Sequence, residues 1–128
     1  MHDQSTSQDA DHIGEIDQQS WSMVLAMPSE DQAELLVDFI QQLERILLLH
    51  QREDLASDIL RHDAHLVKGG ARSIGLFSLA DALQVLEFAG DDQSKRDEGW
   101  SLLLSTVNAT KTFLHQHITN LGNDATAS

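Results

Sequence analysis

Residues 54–75 read DLASDILRHDAHLVKGGARSIG. At about 100° per residue, Leu55, Ile59, Leu66, Val67, Gly70 and Ile74 fall on one side of a helical projection. The segment therefore reads as an amphipathic helix, with Asp54 as its candidate N-cap and Gly75 just past its end. His65 lies roughly 140° from the middle of that apolar stripe and is expected to face solvent. Arg61, Lys68, Gly69 and Arg72 fall on the same outer face, with Asp58 one turn towards the N-terminus. Paired glycines inside a helix need a reason, because each costs roughly 1 kcal/mol relative to alanine. Gly69, four residues after His65, removes the side chain that would cover the imidazole. Gly70, on the apolar side, suits close helix packing.

Outward from this segment the same period recurs. Ile13, Ile16, Trp21, Val24 and Leu25 suggest a short helix closed by Pro28. Ser29 with Gln32 has the form of a capping box and opens the series Leu35, Leu36, Phe39, Ile40, Leu43, Ile46, Leu47. Ser78 with Asp81 opens a further helix through Leu79, Leu83 and Leu86, ended by Gly90. Ser94 with Asp97 opens the last, carrying Trp100, Leu103, Leu104, Val107, Phe113 and Leu114. No strand-like alternation appears. The expected fold is all-α, an antiparallel up-down four-helix bundle with a short additional N-terminal helix. Residues 13–121 form the domain, and the polar, small-residue stretches 1–12 and 122–128 are expected to be disordered tails.

Composition narrows the functions open to such a domain. The chain has 128 residues, 8 Lys+Arg against 21 Asp+Glu and a formal net charge of -13, which opposes binding to nucleic acid or to anionic membranes. The absence of cysteine excludes disulfides, thiol catalysis and cysteine zinc sites, and fits a reducing compartment. No apolar run has the length of a membrane span and the first residues do not resemble a signal peptide, so a cytoplasmic location is expected. Strong net charge makes a monomer the simpler expectation. Within this acidic chain Arg61, Lys68 and Arg72 all gather near His65.

A solvent-facing imidazole, substantially neutral near neutral pH, offers a ring nitrogen as nucleophile. Cations one and two turns away suit a phosphoryl group, whose oxygens are strong acceptors. The pattern points to phosphoryl transfer to and from histidine.

His65-Leu66-Val67-Lys68-Gly69, preceded by Ala64 and followed by Gly75, Leu79, Leu83 and Leu86-Glu87, resembles the histidine-containing phosphotransfer (HPt) domain of two-component phosphorelays. The resemblance covers roughly residues 16–118. It implies that His65 accepts a phosphoryl group from a receiver-domain aspartyl phosphate and passes it to another receiver. On this likeness Lys68 neutralises the phosphoryl charge and Gly69 is the gap that lets the receiver approach; from their places on the same helix face, Arg72 is expected to help stabilise the phosphoryl group, and Arg61 and Asp58 to meet the partner. The partners implied are receiver domains of response regulators or hybrid histidine kinases. No cofactor is expected, magnesium belonging to the receiver, and nothing here resembles the ATP-binding domain of a histidine kinase, so the chain is expected to be a carrier rather than an enzyme. Val67 stands where the family usually has leucine, and Arg72 where small residues are common. Two other readings stand beside it. A bundle that binds and regulates a receiver or kinase without being phosphorylated shares the fold. A metal site at His62 and His65, with His50 or Asp58, lacks convergent ligands.

Overall fold

The computed structural model describes residues 12–127. Among these, five helices follow one another: α1 (Gln18–Leu25), α2 (Ser29–Leu49), α3 (Ser57–Ile74), α4 (Phe77–Glu87) and α5 (Gln93–Ala127). The fold is all-helical, with one isolated β-bridge between Ile16 and Leu76. Helix α3 packs against α1, α2 and α4, and α5 packs against α2 and α4. One apolar core results, with Leu36 and Leu43 of α2, Leu60 and Ile74 of α3, Leu83 of α4 and Leu103 and Leu114 of α5 almost fully buried.

The inward stripe of α3 is Leu60, Ala64, Val67, Ala71 and Ile74. This differs from the stripe expected from the sequence, since Ile59 and Leu66 are 40% and 45% exposed. The true stripe is turned by roughly 80° about the helix axis, at 100° per residue. His65 stays outward under either reading, but Lys68 moves from the far side of the helix to its flank.

Helix boundaries depart from the expected caps in instructive ways. Ser29 is the first residue of α2, not its cap, and Pro28 stands before it without a side-chain hydrogen bond. Gln32, instead of closing a capping box, is buried and donates to the carbonyls of Leu25 and Met27, at 3.2 and 2.7 Å. His117 of α5 reaches the same amide, Nε2 to Oε1, at 2.8 Å. The polar residue is thus spent on the α1–α2 turn, where the chain reverses and frees its carbonyls. Asp54 does not cap α3, which begins after Ala56. Helix α5 starts at Gln93, with Asp92 Oδ1 accepting from the Lys95 amide at 3.2 Å, so Asp92 takes the role assigned to Ser94.

Gly75 ends α3 in the left-handed region, φ 100°, and its amide donates to Ala71 O and Arg72 O. A Cβ there would also lie 2.7 Å from the carbonyl oxygen of Asp17, so the position excludes other residues twice over. The Asp17 amide donates to Gly75 O at 2.8 Å, fastening the segment before α1 to the α3–α4 corner.

Residues 1–11 lie outside the described residues, but His12 donates its amide to Ser105 O at 3.0 Å. At the other end α5 continues to Ala127, beyond the boundary expected at residue 121. Extending an already formed helix adds one backbone bond per residue, and Gly122 alone does not stop it.

Candidate functional site

His65 stands on the outward face of α3 with 70% of its side chain exposed. Its Nδ1 lies 2.9 Å from Oε2 of Glu87, at the last residue of α4. The other carboxylate oxygen, Oε1, meets Lys68 Nζ at 2.5 Å. Lys68 and Glu87 side chains are each only 9% exposed. The lysine ammonium also lies 5.4 Å from the centroid of the Phe88 ring. A carboxylate thus sits between a buried ammonium and an exposed imidazole.

The electrostatics follow from that arrangement. Burial pushes the Glu87 carboxyl up, but the hydrogen bonds and charges of Lys68 and His65 outweigh it, so the group titrates below the ordinary glutamate range. Glu87 is therefore a carboxylate at neutral pH and can only accept. The proton of a neutral His65 accordingly sits on Nδ1, and the lone pair is left on Nε2. Gly69 keeps the next turn clear, since a Cβ built on it meets nothing within 4 Å. At Gly70 a Cβ would lie 2.9 Å from the ring of Phe39, so this glycine serves the contact between α2 and α3.

The remaining expected residues divide. Arg72 is exposed and donates from Nη2 to Gln84 Oε1 of α4 at 2.9 Å. Arg61 and Asp58 are exposed and line a small cleft with Ser57, Glu87 and Gly90, so the first turn of α3 borders the same carboxylate that holds His65. Asp58 Oδ1 accepts from the Ile59 amide at 3.0 Å. Lys68 is the correction: expected on the open outer face, it is buried on the flank against α4. Its side chain has enough aliphatic length to lie along the interface while the ammonium finds Glu87. Among the described residues no group of three or more histidines, cysteines or carboxylates could hold a metal. His62 instead places Nδ1 3.2 Å from Oδ1 of its neighbour Asp63.

In the sequence Glu87 figures only as part of the Leu86-Glu87 pair. Its signal was present, because a charged residue on the apolar face of α4 beside Leu83 and Leu86 requires a partner. The identity of that partner, 22 positions away for His65, lay beyond any single-helix projection.

The Hpt domain family model matches residues 24–124, all of α2 to α4 and most of α5. The chain belongs to the Hpt domain family, the phosphotransfer modules that interact with receiver domains in phosphorelays and carry no kinase domain. No curated protein and no solved structure matches it. No helix among the described residues is long and apolar enough to cross a membrane.

Proposed function

We propose that this protein carries a phosphoryl group on Nε2 of His65, accepting it from the aspartyl phosphate of one receiver domain and delivering it to the aspartate of another. The observation that supports this most is the bond between Nδ1 and Glu87, which leaves Nε2 unprotonated on an exposed face beside Gly69. In the forward step the Nε2 lone pair attacks phosphorus. The N–P bond forms as the bond from phosphorus to the aspartyl oxygen breaks, and the departing carboxylate keeps that electron pair. The ring then carries a proton on Nδ1 and phosphorus on Nε2, and its positive charge faces the Glu87 carboxylate. Return to a second receiver reverses the same steps.

Glu87 acts here as a positioning residue, holding the tautomer and offsetting the ring charge. Lys68 is assigned to Glu87 first, and reaches a phosphoryl group only by leaving that contact. Arg61 and Arg72 border the face on either side of His65 along α3, where an incoming anion would meet them. Magnesium is assigned to the receiver. The short connections between α2, α3, α4 and α5, and their packing around one core, support an antiparallel up-down bundle as the frame.

The test is transfer of acid-labile label from a panel of phosphorylated receivers to the wild type and to His65→Gln. Label on the wild type alone is expected. Label that persists after the substitution refutes the assignment, and receiver binding with no label on either form would favour a regulatory, unphosphorylated bundle.

A further inference from the structure

Phe88 is 68% exposed, among the most exposed of the large apolar side chains, yet it follows Glu87 directly. A single exposed apolar side chain is ordinary on a protein surface, and what distinguishes Phe88 is its place beside the groups that hold His65. Its backbone is fixed, because it caps α4 with its amide bonded to Gln84 O at 3.1 Å. One face of the ring lies over the Lys68 ammonium, at 5.4 Å to the centroid. The ring therefore shields the Lys68 ammonium on one side and presents apolar surface on the other.

We propose that Phe88 is both the apolar anchor for the incoming receiver domain and a positioning residue for His65. A receiver seated on the ring also covers the exposed imidazole and removes water from around its bond to Glu87. In the drier surroundings the hydrogen bond from Nδ1 to Glu87 strengthens, at the moment when the imidazole ring gains positive charge. Docking and activation of the nucleophile are thereby linked through one side chain. The occupant is the receiver carrying the aspartyl phosphate, since Phe88 follows Glu87, which bonds His65, and its ring lies against Lys68, so its exposed apolar surface borders the groups that hold the acceptor. This inference rests on His65 being the acceptor.

Transfer kinetics from a phosphorylated receiver to the wild type, Phe88→Ala, Phe88→Leu and Phe88→Tyr test it, with circular dichroism as the control for folding. Phe88→Ala is expected to raise KM for the receiver about tenfold, the scale of losing one aromatic anchor, and to lower kcat as well. Phe88→Leu restores apolar cover with less area, so it should recover both KM and kcat in part, whereas Phe88→Tyr should recover both more fully. Wild-type KM and kcat in folded Phe88→Ala would overturn the proposal while leaving His65 as acceptor. Failure of the wild type itself to take label would instead overturn the acceptor reading.

Discussion

At Glu87 two donors share one carboxylate, and that sharing sets what single substitutions do. Lys68→Ala leaves a buried carboxylate with only the exposed imidazole as partner, and is expected to destabilise the fold by about 2 kcal/mol in chemical denaturation. Lys68→Met combined with Glu87→Gln should recover most of that loss, because both charges leave together, yet transfer should remain impaired. The pH dependence has a definite sign. Glu87 titrates below its ordinary range when folded, so its contribution is present above the ordinary glutamate value and is lost as pH falls through the folded value. Stability measured against pH should therefore fall more steeply on the acid side in the wild type than in Glu87→Gln. His65 and Gly69 were legible in the sequence because exposure and clearance depend on one helix alone. Lys68 was not, because its burial is decided by α4, and a long aliphatic stem can cross from one face to the next.

Helix α3 carries adjacent glycines with opposite duties, and alanine separates them. Gly69→Ala adds a methyl group to open space and should raise stability by up to about 1 kcal/mol through helix propensity, while slowing transfer by crowding the receiver's approach. Gly70→Ala drives a methyl group into the buried ring of Phe39 and should lower stability by about 1 kcal/mol, overpacking outweighing propensity. Thermal denaturation of the two variants checks both signs. If both alanines stabilise, the contact between α2 and α3 is looser than described. Apolar period located every helix, but their caps were poorly legible. Ser29, Asp54 and Ser94 all have residue types that cap helices well, yet Pro28, Ala56 and Asp92 precede the helices observed. Which polar residue caps depends on where the chain must turn to reach the next helix, and Gln32 shows one diverted to free carbonyls in that turn.

Across the whole molecule, one core fixes the corner at which α3 and α4 present the site. Gly75 and Asp17 tie that corner to the segment before α1, while the Trp21, Phe113 and His117 rings pack where α1 meets α5. The all-helical class was readable from periodicity and from the scarcity of glycine and proline. The ion pair that orients the histidine was not, because it joins residues from two helices. With Lys68 turned onto Glu87, Arg61 and Arg72 are the exposed cations of α3 that an anionic group arriving at His65 would meet, in a chain whose net charge is -13. The most direct measurement is nitrogen-15 and phosphorus-31 NMR of ring-labelled protein after transfer from a phosphorylated receiver. The N–P coupling should appear on Nε2 of His65, with the proton on Nδ1. Coupling to Nδ1, or to any other histidine, would contradict it.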